Sequence, residues 1–355
     1  MEPVRGCQGG HLMKHSVSGM RAQTDVDMQI EWQANSRIAL VGSSGAGKTT
    51  LLRSIAGFES ELSEHGSFQS LHPWQRSCSY LHQQPVMFAH QTVSQTFAFS
   101  AEHRHQRYAD LPFNDWISWL GITELLNKKC SDLSGGQQQR VALIRALFCQ
   151  PKLLLLDESF ASLDRENVLQ ACRVIDDYSH LTNSGFILAS HQDKPLRMLC
   201  REVVVVEDLK TKAIQPLFNV LNQQLGGQLK TTLTCHCVEL EHQFLASTLE
   251  GQTLYAEQPE WWQPGLARFT LDASSVSISL ADRAQTSLVN RLNVTIDSHQ
   301  QHGSDHFKVW LTLGETGFWA IVSHWSWDRL GLHDGQSVFA EFKVGALEWS
   351  GQWFQ

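Results

Sequence analysis

Ser36-Arg37-Ile38-Ala39-Leu40-Val41 leads into Gly42-Ser43-Ser44-Gly45-Ala46-Gly47-Lys48-Thr49, and Thr50-Leu51-Leu52-Arg53-Ser54-Ile55-Ala56-Gly57-Phe58 follows. A short apolar run, a glycine-rich turn and a segment with helical spacing read as strand, loop and helix. The turn fits G-x-x-x-x-G-K-[ST] in the strand-to-helix setting that the motif needs. Glycines let successive backbone N–H groups curl round phosphate oxygens without side-chain clash. The helix N-terminus adds the positive end of its dipole. This reading gives Gly42, Ser43, Ser44, Gly45, Ala46 and Gly47 to a phosphate cradle, with Thr50 beside it. Lys48 goes to the β- and γ-phosphates of a nucleotide and the Thr49 hydroxyl to Mg²⁺. A functionless glycine turn would need neither the lysine nor the hydroxyl.

Further apolar runs extend the pattern: KLLLLD at 152–157, GFILAS at 185–190 and EVVVVE at 202–207. Each is bounded by polar or turn residues, as buried parallel strands are. Helical patterns separate them, so the first part of the chain reads as an α/β sheet. The stretch from about 85 to 150 is helical and interrupts the sheet. The run at 153–156 ends in Asp157-Glu158. A strand end places Asp157 beside the phosphate loop, where it can hold Mg²⁺, and Glu158 where it can accept a proton from an attacking water. Alone, such an acidic strand end is a weak signal.

The 355 residues suit two domains, and 42% hydrophobic with 18% charged residues is a soluble globular composition. The formal charge of −8 argues against a nucleic-acid scaffold, which usually shows a basic face. No apolar run approaches the roughly 20 residues that span a bilayer, so a membrane role is expected through a partner. The first fifteen residues (MEPVRGCQGGHLMKH) carry no signal-type apolar stretch. Eight scattered cysteines read as reduced thiols. Cys235-His236-Cys237 is the one cluster, but in a strand the two thiols share a face that His236 does not. No tetrahedral metal set is completed.

Between the phosphate loop and the Asp-Glu strand stands Leu133-Ser134-Gly135-Gly136-Gln137-Gln138-Gln139-Arg140. In that position the segment resembles the signature motif of the ABC ATPases. Ser134, Gly135, Gly136 and Gln137 would form a second anion-binding helix start. The resemblance implies that this start completes the ATP site of a second copy, in a head-to-tail homodimer with two ATP molecules at the interface. The other family elements fall in order. Ala161-Ser162-Leu163-Asp164 is similar to the loop that contacts the opposite subunit, and Asp164 is assigned there. Ser190-His191 is similar to the switch histidine, which implies contact between His191 and the γ-phosphate. Gln83 in SYLHQQPVMF resembles the glutamine that senses Mg²⁺ and links to a membrane subunit. Gln84 is the neighbouring alternative, and the spacing to Met87-Phe88 favours Gln83. Two features depart from the family. Residues 1–31 hold no Phe, Tyr or Trp to stack on adenine; His11 and His15 are the only rings, and His15 is the candidate substitute. Ser159 stands where the family usually has proline.

After about 215 helical periodicity fades and alternating strands appear: FLASTL, TLYAE, ARFTL, VSISL, VWLTL, FWAIV and VFAEFKV. Eight of the twelve tryptophans lie beyond residue 260, which indicates a packed β domain. An internal duplication is visible. Thr248-Leu249 and Thr312-Leu313 lie 64 residues apart, as do Ala256 and Ala320, and the pairs Leu254-Tyr255 and Phe318-Trp319. Gly265 and Gly335 follow as turn glycines, and the second copy carries a helical insert, SHWSWDRLGL. Two β units completing one barrel is the expected architecture. LDASSVSISL at 271–280, the Ser287-Leu288-Val289-Asn290 turn and HWSWDRLGLHDGQSVFAEFKV at 324–344 resemble the C-terminal TOBE/Mop-like, OB-like barrel of molybdate importer ATPases. Where the molybdate-binding versions carry Ser-x-Arg-Asn, Val289 stands at the arginine place; Lys343 remains.

The expected organisation is thus a P-loop ATPase domain of ABC type with a helical subdomain at 1–215, a linker at 216–229 and an all-β domain at 230–355. The resemblance implies ATP and Mg²⁺ as ligands and two membrane permease subunits and an extracytoplasmic binding protein as partners. It implies a peripheral position on the cytoplasmic face of the inner membrane, with molybdate as cargo and as a ligand to look for in the β domain. Rival readings are the same role for sulfate, iron or polyamine, a soluble ABC ATPase of DNA repair or translation, and an oxyanion sensor. The soluble class generally carries long coiled coils or two ATPase copies, and the sensors a DNA-binding helical domain; none of these is read here.

Overall fold

The chain, seen in a computed structural model, is described over residues 12–21, 23–104, 108, 110–217, 229–239, 244–257, 265–280 and 287–353. His11 and most of the expected linker lie outside these residues. Two units are distinguished, residues 1–217 and 218–355.

The first unit is built on one sheet. Its strands are β1 (Met13–Arg21), β2 (Thr24–Trp32), β3 (Arg37–Val41), β4 (Ser63–Gly66), β5 (Cys78–Leu81), β6 (Leu153–Asp157), β7 (Gly185–Ala189), β8 (Glu202–Glu207), β9 (Lys210–Thr211) and β10 (Gln215–Pro216). The order is β4-β1-β2-β9-β8-β3-β7-β6-β5, with β10 on β8. The run β8-β3-β7-β6-β5 is parallel throughout. Its strands β3, β6 and β7 are buried at every residue, the condition for a parallel strand covered on both faces. β1, β2 and β4 form an antiparallel lobe. There β2 alternates, with Val26, Met28, Ile30 and Trp32 turned inward, so its opposite face is open.

Helices fill the intervals: α1 (Lys48–Ala56), α2 (Val93–Glu102), α3 (Phe113–Trp119), α4 (Gly135–Phe148), α5 (Arg165–Thr182) and α6 (Asp193–Leu199). The helical stretch expected from 85 to 150 is α2, α3 and α4. Capping fixes several starts. Thr92 and Ser134 each accept the N–H three residues on, and Gln95 and Gln137 reach back to the cap N–H. Such boxes satisfy helix-end groups that would otherwise lack partners. Asp164 caps α5 in the same way, through the Asn167 N–H. Trp116 Nε1 donates to Asp177 Oδ2 at 2.7 Å and ties α3 to α5.

The second unit is all β: β11 (Lys230–Glu239), β12 (Phe244–Leu249), β13 (Gln252–Glu257), β14 (Gly265–Asp272), β15 (Ser277–Ser279), β16 (Asn290–His302), β17 (His306–Leu313), β18 (Thr316–Ser323), β19 (Ser337–Phe342) and β20 (Leu347–Trp353), with a helix at His324–Leu330. The repeat is visible in the topology. One sheet runs β13-β12-β11-β14-β20 and the other β18-β17-β16-β19-β15. Each repeat supplies four strands in the same order, and the fifth is exchanged. β15, which follows the first repeat, pairs with β19 of the second; β20, which ends the second, pairs with β14 of the first. Cross-contacts repeat too. The backbone N–H groups of Tyr255 and Trp319 donate to Asn290 Oδ1 (2.6 Å) and Thr231 Oγ1 (3.2 Å), each in the other repeat. Both sheets share one apolar core. The sequence-level picture of one barrel made from two units thus resolves into two five-stranded sheets over one core.

Candidate active site

Every phosphate-loop residue lies at the carboxyl end of the parallel strands, between β3 and α1. Gly42 has φ 157°, and a Cβ there would stand 2.1 Å from the Val206 carbonyl oxygen of β8. Gly47 has φ 114° at the start of α1. These two glycines are demanded by backbone approach and by handedness. A cleft of about 480 Å³ opens above the loop. Ser44, Gly45, Gly47, Lys48, Thr49 and Thr50 line it, together with Gln83, Asp157, Glu158 and His191. Segments from the ends of β3, β5, β6 and β7 therefore converge there, where open α/β sheets bind ligands. Gln84, the alternative to Gln83, is not among the lining residues.

Polar contacts knit these side chains together. Lys48 Nζ donates to the carbonyls of Gly42 (2.8 Å) and Ser43 (3.0 Å) and lies 3.3 Å from His191 Nε2. Burial pushes the Lys48 ammonium below its usual range, while Glu158 and Asp157 oppose that shift. The Thr49 hydroxyl donates to Asp157 Oδ1 at 3.1 Å. Glu158 takes a left-handed backbone conformation, φ 48°, fixed by its N–H to the Ala189 carbonyl at 2.9 Å. Its carboxylate meets His191 twice: Oε1 is 3.3 Å from Nε2, and Oε2 accepts the His191 backbone N–H at 3.3 Å.

The residues also fit Mg²⁺. Thr49 and Asp157 present hard oxygens side by side, and Gln83 lines the same cleft. Among the described residues no three His, Cys, Asp or Glu side chains are grouped to cage a metal. Mg²⁺ suits such a place, since it is usually held by one or two protein oxygens together with substrate phosphates and water.

Other expected site residues lie elsewhere. Ser134, Gly135, Gly136, Gln137 and Asp164 do not line the cleft. Ser134 and Gln137 are joined in the cap of α4, and a Cβ on Gly136 would be 3.1 Å from the Ser162 carbonyl. The signature turn thus packs on the loop that carries Asp164. Asp164 is exposed, and hydrogen bonds from Asn167 hold its carboxyl below the usual carboxylate range. His15 requires a correction. It faces inward from β1, 1% exposed, with Nε2 2.9 Å from Ser54 Oγ. Burial and the Arg76 charge lower its pKa to about 4. It cannot stack on a base. Cys235 and Cys237 face the β core, where burial pushes the thiols up to about 11 and about 12, and His236 faces out.

Two contacts escape sequence reasoning. The Tyr80 hydroxyl donates to Asp157 Oδ2 at 2.8 Å, so Thr49 and Tyr80 each hold one carboxylate oxygen. Arg21 Nη1 donates to Thr50 Oγ1 at 2.8 Å. Tyr80 is adjacent to β6 by strand pairing, and its place three residues before Gln83 was the available signal; Arg21 gave none.

The ABC transporter family profile matches residues 25–161, which include the loop, the signature segment and the Asp-Glu strand. The molybdenum import ATP-binding protein of Pseudomonas savastanoi pv. phaseolicola is 31% identical over 334 residues, covering 87% of this chain and 91% of that protein. This chain belongs to the ABC transporter ATPases. The corresponding protein of Hahella chejuensis is 29% identical, covering 92% of this chain and 96% of its own length. A solved ATP-binding subunit of an ABC transporter shares the fold, with a TM-score of 0.52 at 21% identity over 60% of this chain. As an ABC ATPase the chain binds and hydrolyses ATP, and the cleft over Lys48 is where its phosphate-binding motif lies.

Proposed function

We propose that this chain is the ATP-hydrolysing subunit of a molybdate importer. The observation that carries the reading is likeness over nearly the whole length, β domain included, to proteins named as molybdenum import ATP-binding proteins. In the reaction, the loop N–H groups and Lys48 hold the β- and γ-phosphates. Thr49 and Asp157, with Gln83 lining the same cleft, would hold Mg²⁺, which when bound would offset charge on the phosphate oxygens. Glu158 accepts the proton of the attacking water, and His191, between Glu158 and Lys48, contacts the γ-phosphate. Ser134, Gly135 and Asp164, which are exposed, and Gly136 and Gln137, which are half-buried, act on the cleft of a second copy in a head-to-tail homodimer.

Coupling to two permease subunits runs through a groove of about 450 Å³ beside the helical part, lined by Phe58, Tyr80, His82, Pro85, Val86 and Arg145 among others. Phe58 is 51% and Val86 75% exposed, and Tyr80 leads from this groove to Asp157. No helix among the described residues is long and apolar enough to cross a membrane, which agrees with a peripheral subunit on the cytoplasmic face that relies on permeases and an extracytoplasmic binding protein. The test is ATPase activity in membranes carrying the cognate permease, with binding proteins loaded with molybdate, sulfate, iron or polyamine. Stimulation by the molybdate-loaded protein alone is expected. Stimulation by another cargo instead reassigns the substrate, and ATPase activity indifferent to the permease removes the transport role.

A further inference from the structure

The phosphate end of ATP is accounted for by residues 42–50, but the nucleoside end is not. Residues 1–31 contain no Phe, Tyr or Trp, and His15 is buried against Ser54. What the fold brings to Thr50, at the α1 side of the cleft, is Arg21. It ends β1 at a tight turn, paired with Thr24. Its Nη1 donates to Thr50 Oγ1 at 2.8 Å and lies 3.6 Å from Glu59 Oε2. Glu59 is itself held by Arg53 Nε at 2.7 Å. The Arg21 side chain nevertheless remains 43% exposed. A planar cation is thus clamped at one edge beside the nucleotide cleft, with much of its surface open.

We propose that Arg21 is a nucleotide-binding residue whose guanidinium plane is the platform for the purine base. Guanidinium is planar and weakly hydrated and stacks on π systems, and bases do stack on arginine planes. Glu59 decides between this role and a phosphate contact. The Arg21 charge already has a carboxylate beside it, which would repel a phosphate, whereas stacking leaves that ion pair intact. The inference rests on the reading that the cleft holds ATP.

The test compares the affinity of the full-length chain for ATP with its affinity for inorganic tripolyphosphate, which has no base. Arg21→Ala should weaken ATP binding about 2- to 30-fold, the range for a cation on a ring face, and leave tripolyphosphate unchanged. Arg21→Lys keeps the charge but loses the plane and should resemble alanine; Arg21→Tyr should restore ATP binding. Rescue by lysine and not tyrosine would overturn stacking in favour of a phosphate contact. Unchanged ATP affinity in Arg21→Ala would remove the residue from the site, and a parallel loss of tripolyphosphate would show damage to the loop through Thr50. An unmutated chain that binds tripolyphosphate but gains nothing from the nucleoside overturns the platform alone. One that binds neither overturns the ATP reading itself.

Discussion

Glu158 and His15 illustrate opposite uses of burial. The Glu158 carboxylate is held at the cleft by both ends of His191, so replacing it with glutamine keeps shape and hydrogen bonding while removing the proton acceptor. Turnover should fall about 10²- to 10⁴-fold with ATP still bound; near-normal turnover in Glu158→Gln would take the base role away from it. His15 is neutral in the folded core, with its pKa near 4 against the usual 6.5. A lowered histidine pKa means that the unfolded chain binds the proton first. Stability is therefore complete above about pH 6.5 and falls as pH drops towards 4, by on the order of 3 kcal/mol. Urea midpoints measured between pH 7 and 4 should show this slope, and a folded His15→Gln variant should lack that part of it. Equal slopes in the two proteins would show that other groups govern the acid limb.

At the scale of elements, the parallel core was legible because burial on both faces leaves uninterrupted apolar runs such as Leu153–Leu156. The hairpin of β1 and β2 was not, because one-sided strands mix polar residues into the run: Asp25, Asp27 and Gln29 alternate with Val26, Met28 and Ile30. β16 was missed for the same reason; Leu292, Val294 and Ile296 are followed by His299-Gln300-Gln301-His302. Motif spacing located the loop, the signature cap and the strand-end acids. It could not reveal Arg21 on Thr50 or Tyr80 on Asp157, which depend on contacts 29 and 77 residues apart. The β16–β19 register carries a further prediction. Asn290 pairs with Phe342 at the end of the ladder and its Nδ2 donates to the Lys343 carbonyl at 3.5 Å; Val289, 53% exposed, immediately precedes it. Valine offers no donor to an oxyanion. Val289→Arg should strengthen molybdate binding by the full-length chain about 10- to 150-fold, the equivalent of one charge-assisted hydrogen bond. Calorimetry on both chains checks it, and tight binding by the unmutated chain would place any oxyanion site elsewhere.

For the whole molecule, Ser134 is not among the residues lining the cleft at Lys48, and the proposed head-to-tail dimer would bring the two together from different copies. Mixing a Lys48→Ala chain with a Ser134→Arg chain puts both lesions in one composite site of the heterodimer and leaves the other intact. ATPase activity should rise above that of either mutant alone. Absence of rescue in heterodimers verified by differential tagging would count against shared sites.

The exchanged strands of the second unit have a consequence for how it can be divided. Each repeat closes its sheet with a strand that the other repeat encodes, so neither half is a self-sufficient module. A chain opened between β15 and β16 would yield two pieces, each displaying a gap one strand wide that its counterpart fits. Such pieces should find each other and reassemble, as two links of a chain clasp. A lone repeat with its own fifth strand would meet the same vacancy in a second copy of itself, the arrangement from which a duplicated, mutually laced domain can descend.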